Sequence, residues 1–179
     1  LHVEDDADVA ELTATVLVRE AGEMSVETVG SGAEALDRLD DDFDCVVSDY
    51  DIPGMDGIEL LDAVRAEYPD LPFILFTGKG SEAVASDAIA AGVTDYLRKG
   101  SGTDQYELLA NRITNAVRQV RAEWRLDEER QRFQALLENL SQAVVEVEWD
   151  GSTPVVEQVN SEFTEVFGYD ADEVVGESL

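Results

Sequence analysis

Lysine is almost missing from this chain of 179 residues: Lys79 and Lys99 are the only two, and twelve basic residues face 41 acids for a net charge of −29. That balance argues against nucleic acid or an anionic membrane surface as partners, because phosphate backbones and acidic headgroups need a basic face. Scarce lysine beside abundant acid reads as adaptation to high salt, where self-repulsion is screened and acidic surfaces stay soluble. The single cysteine, Cys45, excludes an internal disulfide, suits a reducing cytoplasm and reads as a small core residue. No apolar run approaches the ~18 residues of a membrane span, and no signal peptide is visible. The first residue is Leu, and Leu1-His2-Val3 is short for a strand, so the chain is read as a fragment beginning inside its first strand. Acidity alone would also allow disorder, but 44% hydrophobic residues in clean periodic patterns oppose it.

What is present is an alternation of apolar runs and helical spacing. Leu1-His2-Val3, Val26 to Val29, Cys45 to Val47, Phe73 to Phe76 and Val93 to Leu97 read as five strands. Between them Val9, Leu12, Val16 and Leu17 set a first helix; Ala33, Leu36 and Leu39 a second; Ile58, Leu61 and Val64 a third; and Ala83 to Ala91 a fourth. Strands alternating with helices imply an α/β fold with a parallel sheet and right-handed crossovers. Asp40-Asp41-Asp42 reads as a solvated helix end rather than a metal site. From Asp104 the helical pattern runs on through Leu109, Ile113, Val117, Val120 and Trp124, then resumes at Phe133, Leu136 and Leu140 after a polar stretch from Asp127 to Gln131. Two readings stand open: one long helix able to pair with its copy in a homodimer, or two helices broken near Asp127. Val144 to Trp149 and Val155 to Val159 then read as strands, followed by a helix from Asn160 to Gly168.

The chemistry gathers where strands end. Asp49 closes the third run, ahead of a loop broken by Pro53 and Gly54, and the carboxyl rim of an open α/β sheet is where ligands bind. Glu4 and Asp5 end the first run, which would lie beside Asp49 if strands one and three are neighbours. Three converging carboxylates repel unless a cation sits among them, and all-oxygen ligands with room for water favour Mg²⁺. Mg²⁺ beside a nucleophilic carboxylate points to phosphoryl transfer; Thr77 can hydrogen-bond a phosphoryl oxygen and Lys99 can balance its charge.

Val3-Glu4-Asp5-Asp6, the D-x-x-x-P-x-M-D-G stretch from Asp49 to Gly57, Thr77-Gly78 and Tyr96-x-x-Lys99 together resemble the receiver domain of two-component response regulators, with Thr77 28 residues after Asp49 and Lys99 22 after Thr77. The resemblance implies a flavodoxin-like sheet of order 2-1-3-4-5 over residues 1–121. It implies that Asp49 accepts a phosphoryl group from a sensor histidine kinase or phosphotransfer protein. Asp5 and Asp49 would bind Mg²⁺ directly, Glu4 through water, and Asp51 through its backbone carbonyl. Thr77 and Lys99 would contact the phosphoryl group, Thr77 and Tyr96 would rearrange as a switch pair, and Asp51 and Lys79 would modulate the phosphoryl lifetime. Gly100 departs from the proline usual after the lysine, and Ile52 from a frequent methionine.

Asn160-x-x-Phe163, Gly168-Tyr169 and Glu173-Val174-Val175-Gly176 resemble the N-terminal half of a PAS domain, placed at 139–179 behind a helical linker at 122–138. Phe163 and Phe167 are expected as core residues rather than cofactor contacts. Receiver plus PAS in an acidic, lysine-poor chain resembles signalling proteins of halophilic archaea. The rival from another class is a Mg²⁺-dependent haloacid-dehalogenase-type phosphatase using Asp49 as nucleophile, with Asp49-Tyr50-Asp51 as its D-x-D. Pro53 stands where that family wants Thr or Val, and Glu4-Asp5 comes too early for its second acidic pair. The chain is therefore expected to be a signalling receiver, not an enzyme in its own right.

Overall fold

The computed structural model describes residues 1–22, 24–78, 81–100 and 102–178. Five short runs pair as parallel strands, β1 (His2–Val3), β2 (Thr28–Val29), β3 (Val46–Ser48), β4 (Phe73–Thr77) and β5 (Asp95–Arg98), in the expected order β2-β1-β3-β4-β5. Each is followed by a helix: α1 (Ala7–Ala21), α2 (Gly32–Arg38), α3 (Gly57–Glu67), α4 (Glu82–Ala90) and α5 (Asp104–Glu138). Parallel pairing demands crossovers, so helices cover both faces and strands are apolar on both sides. In β4 no residue is more than 1% exposed. Phe73 and Leu75 join a core with Leu60, Leu61 and Val64 of α3, whereas Ile74 and Phe76 join Leu17 of α1 and Leu109 and Ile113 of α5. Each such side chain contributes roughly 1.5–3 kcal/mol on full burial.

Two helix faces differ from the sequence expectation. Leu12 and Leu36 are 45% and 37% exposed, and α1 instead turns Ala10, Thr13, Val16 and Leu17 inward. Thr13 is tolerated there because its hydroxyl donates to the Val9 carbonyl at 2.7 Å, leaving no orphaned polar atom. The strands are also shorter than their apolar runs: Val26 lies outside β2 and Val93 outside β5.

The first compact unit spans Leu1–Ala122 and the second Glu123–Leu179. α5 is continuous through Asp127 to Gln131, where Gln131 Nε2 donates to Asp127 Oδ2 at 2.7 Å, so the reading with two broken helices is not observed. At 3.6 residues per turn, Ile113, Val117, Val120 and Trp124 share one face, while Leu126, Phe133 and Leu137 share the opposite one. The polar stretch thus marks a change of face. The first turns of α5 are anchored, with Tyr106, Leu109, Ala110 and Ile113 buried and the Tyr106 ring edge-on to Phe76 at 5.5 Å.

In the second unit β6 (Val145–Asp150) and β7 (Thr153–Val159) form an antiparallel hairpin, followed by α6 (Ser161–Phe167) and α7 (Ala171–Val174). Gly151 makes the turn at φ 64°, a left-handed conformation that suits glycine. Asn160, 2% exposed, ties the unit together. Its side-chain oxygen accepts from the Val144 and Phe163 amides, and its nitrogen donates to the carbonyls of Leu137 and Gln142. Phe163 is half-buried and its ring lies 4.8 Å from that of Phe167. Phe167 departs from the core expectation at 56% exposed, because no described residue covers the outer face of α6.

His2 is 1% exposed, and neither ring nitrogen has a hydrogen-bond partner among the described residues. Burial, reinforced by the Lys99 ammonium, pushes its pKa down from 6.5 to about 4. The native state therefore binds fewer protons than the unfolded chain between those values, and stability rises with pH across that window. His2→Leu should remove a pH-dependent difference of about 3 kcal/mol. Denaturant melts of both proteins between pH 4 and pH 7 should show the wild type losing stability relative to His2→Leu toward the acid end; a stability difference that does not change with pH would refute the assignment.

Candidate functional site

Strand register brings the acids, the hydroxyl and the lysine to one rim. Val3 pairs with Ser48, Ser48 with Leu75, and Thr77 with Arg98. The ladder continues one residue past the strands: Asp49 N donates to Val3 O at 2.9 Å and Lys99 N to Thr77 O at 2.8 Å. Side chains leaving β1, β3, β4 and β5 therefore emerge at the carboxyl edge.

Lys99 is the centre of this edge. Its ammonium donates to Asp49 Oδ2 at 2.7 Å and to Glu4 Oε2, and stands 5.9 Å from the Phe76 ring centroid. The three side chains are only 15%, 14% and 2% exposed for Lys99, Asp49 and Glu4. Burial pushes the Glu4 carboxyl up against the opposing pull of Lys99. For Lys99, burial acts downward, but its hydrogen bonds to Asp49 and Glu4 outweigh it and hold the ammonium above its ordinary value. The cation remains charged because two carboxylates need it.

The residues on either side of Asp49 hold both its side chain and its main chain. Tyr50 N donates to Asp49 Oδ1 at 2.6 Å, and the Ser48 hydroxyl donates to the Asp49 carbonyl at 2.7 Å. Gly54 has φ 90°. A Cβ on Gly57 would stand 2.5 Å from the Asp49 carbonyl oxygen and 2.7 Å from Leu75 Cδ1, so only glycine fits. Asp56 then opens α3 through a capping box with Glu59. The D-x-x-x-P-x-M-D-G spacing thus encodes a turn, a close approach and a helix start.

Of the predicted site residues, Glu4, Asp49 and Lys99 are in contact. Asp5 and Asp51 are exposed on the same two strand-end loops. Thr77 is fully buried at the end of β4. Tyr96 is half-buried with its hydroxyl buried and without a hydrogen-bond partner among the described residues. Its ring already points inward. Lys79, expected to act with Asp51, lies outside the described residues. The Lys99–Gly100 peptide is trans, and a Cβ on Gly100 would stand 2.7 Å from Gln105 Cγ. Ser48 and Phe76 were missed as site residues; the only trace of Ser48 in the sequence is a hydroxyl in an apolar run.

Among the described residues no three His, Cys, Asp or Glu side chains close around a common point. The donors at this edge are nonetheless all oxygen, with Asp5 exposed beside the Glu4–Asp49 pair. Such a set fits a hard cation that retains water, and not a softer one.

Residues 1–111 match the response regulator receiver domain family, and residues 131–179 match a PAS domain family. The C4-dicarboxylate transport transcriptional regulatory protein DctD of Rhizobium meliloti is 31% identical over 97% of this chain and 35% of its own length. The transcriptional regulatory protein FixJ of Bradyrhizobium diazoefficiens is 32% identical over 64% of this chain and 62% of its own. The chain thus spans less than two thirds of either relative. A CheY-like receiver structure from Methanospirillum hungatei superposes with a TM-score of 0.61 at 24% identity, over 68% of this chain and 94% of that one.

Lys99→Met should leave Glu4 buried without its cation and destabilise the first unit by roughly 3 kcal/mol at neutral pH. The loss should shrink as pH falls and Glu4 takes up a proton, which urea melts across pH will read. Gly57→Ala should cost about 1–3 kcal/mol by overpacking; an unchanged melting midpoint would mean that the Asp49 carbonyl yields freely.

Proposed function

Because the chain belongs to the response regulator receiver domain family, with a PAS domain following the receiver, we propose that Asp49 is the phosphoacceptor of a two-component relay. The observation that carries this reading is the Lys99 ammonium shared by Asp49 and Glu4 at the carboxyl edge of the sheet. An Asp49 carboxylate oxygen attacks the phosphorus of a kinase or phosphotransfer-protein phosphohistidine. The phosphorus–nitrogen bond breaks, its electron pair returns to the imidazole, and an acyl phosphate remains on Asp49. Glu4, Asp5, Asp49 and the Asp51 carbonyl would hold Mg²⁺, which when bound offsets the phosphoryl charge. Lys99 then turns from Asp49 to the phosphoryl oxygens, and Thr77 donates its hydroxyl to them. Asp51 and Lys79 modulate how quickly water reaches the bond.

Tyr96 is the switch partner of Thr77, and its unpartnered buried hydroxyl supports an inward position that phosphorylation would stabilise. α5 carries the change toward the PAS segment and serves as the dimer-forming element. The chain divides into a receiver at 1–121, a linker at 122–138 and the first half of a PAS domain at 139–179, in the cytoplasm. Among the described residues, no helix is long and apolar enough to cross a membrane. The haloacid-dehalogenase-type reading finds no support in the family match.

Incubation with Mg²⁺ and acetyl phosphate should give an acid-stable, base-labile adduct of one phosphoryl group per chain. Asp49→Asn should abolish it, and labelling that persists in that variant overturns the assignment. Chelation by EDTA should suppress labelling; full labelling without a divalent cation would remove Mg²⁺ from the reading.

A further inference from the structure

Ser48 is a hydroxyl among hydrocarbon neighbours. It is fully buried, and its ladder partners Val3 and Leu75 are both 0% exposed. A buried hydroxyl costs free energy unless it is bonded, and this one donates to the Asp49 carbonyl oxygen at 2.7 Å. That carbonyl has left the ladder. The Asp49 amide still donates to Val3 O at 2.9 Å, but among the described residues no main-chain amide donates to Asp49 O. α3 begins against the same oxygen at Gly57, where a Cβ would stand only 2.5 Å away. Ser48 is therefore the donor that lets the carbonyl sit there.

The bond reaches further than the carbonyl. Asp49 C=O and Tyr50 N–H belong to one planar peptide group, and the other end of that group donates to Asp49 Oδ1 at 2.6 Å. Ser48 hydroxyl, peptide and carboxylate thus form a chain in which each hydrogen bond polarises the next. The second carboxylate oxygen, Oδ2, is held by Lys99 at 2.7 Å. Among the described residues these are the two donors to the Asp49 carboxylate. In the relay Lys99 turns away to the phosphoryl oxygens, so the Tyr50 amide is the hold that persists through the transfer. A carboxylate free to pivot loses the alignment on which an in-line displacement depends.

We infer that Ser48 is a positioning residue for phosphoryl transfer. By bracing the peptide between Asp49 and Tyr50 it keeps Oδ1 on the Tyr50 amide and leaves Oδ2, vacated by Lys99, as the attacking oxygen. With acetyl phosphate as donor, Oδ2 attacks the phosphorus, the bond from phosphorus to the bridging oxygen breaks, and acetate leaves with the electron pair. This role rests on Asp49 as the phosphoacceptor, whereas the brace itself belongs to the unphosphorylated protein.

Two measurements on the full 179-residue chain test it. In labelling with acetyl phosphate at saturating Mg²⁺, Ser48→Ala should lower the limiting rate constant about tenfold, ~1.4 kcal/mol in the barrier. The half-saturating acetyl phosphate concentration should stay within about twofold. Ser48→Thr, which keeps the hydroxyl, should recover most of the rate, and Ser48→Cys, a weaker donor of similar size, should fall between. In amide NMR of the unphosphorylated proteins, the Tyr50 proton should move upfield in Ser48→Ala as its bond to Oδ1 weakens. The Gly57 amide, which donates to the Tyr50 carbonyl at 2.8 Å, should stay in place, because only a general loosening of the loop would shift both. Circular dichroism checks that each variant is folded, and Ser48→Cys carries the comparison if Ser48→Ala is not. Wild-type rates in the alanine and cysteine variants, or Tyr50 and Gly57 amides that move together, would overturn the role of Ser48 alone. A wild type that takes no label would remove the phosphoacceptor reading, and the transfer role with it.

Discussion

Two carboxylates emerge from adjacent parallel strands largely shielded from solvent, and a single ammonium bridges them. Glu4 is buried, Asp49 nearly so, and each would repel the other if Lys99 were elsewhere. The observed sheet order is what allows this contact. β1 and β3 must be neighbours for Glu4 to meet Asp49, and β5 must end level with them for Lys99 to reach both.

That constraint extends outward through the loop after Asp49. An acid held by its side chain to Lys99 needs its main chain held as well, or the carboxylate would swing with the loop. The Ser48 hydroxyl holds its carbonyl, the Tyr50 amide holds its second carboxylate oxygen, and Gly57 lets α3 begin against that carbonyl. The site is therefore the meeting of three helix-terminal or strand-terminal devices: a ladder continued by one residue, a glycine without room for a methyl, and a capping box. The Phe76 ring beneath Lys99 supplies an apolar floor, which keeps the ammonium dependent on its two carboxylates.

Glu4, Asp49 and Lys99 could be placed together from sequence because each follows an apolar run of strand length, and strand ends converge in a parallel sheet whatever the details of the helices. The same reasoning misjudged Leu12 and Leu36, since hydrophobic spacing locates a helix better than it locates the rotation of that helix against a core. Thr13 can be buried there because the backbone carbonyl of Val9 satisfies its hydroxyl, a local bond that composition does not announce. Ser48 escaped for a related reason: a hydroxyl in an apolar run carries no sign of which carbonyl it will reach. The continuity of α5 was undecidable from pattern, because an interrupted stripe is what a break and a change of face both look like.

The change of face has a mechanical meaning. A helix that presented one apolar stripe along its whole length would have to choose between the core beneath its first turns and any partner of its last. Splitting the stripe lets Tyr106, Leu109 and Ile113 lock the first half while leaving Leu126 and Phe133 available. Helical stability in proteins comes mostly from packing of an apolar face, so the second half needs a fixed end. Asn160 supplies one by donating to the Leu137 carbonyl, which also accepts from the Leu140 amide, while the same side chain accepts from Val144 and Phe163. Asn160 therefore joins the end of α5 to β6 and α6 through directional hydrogen bonds rather than apolar packing.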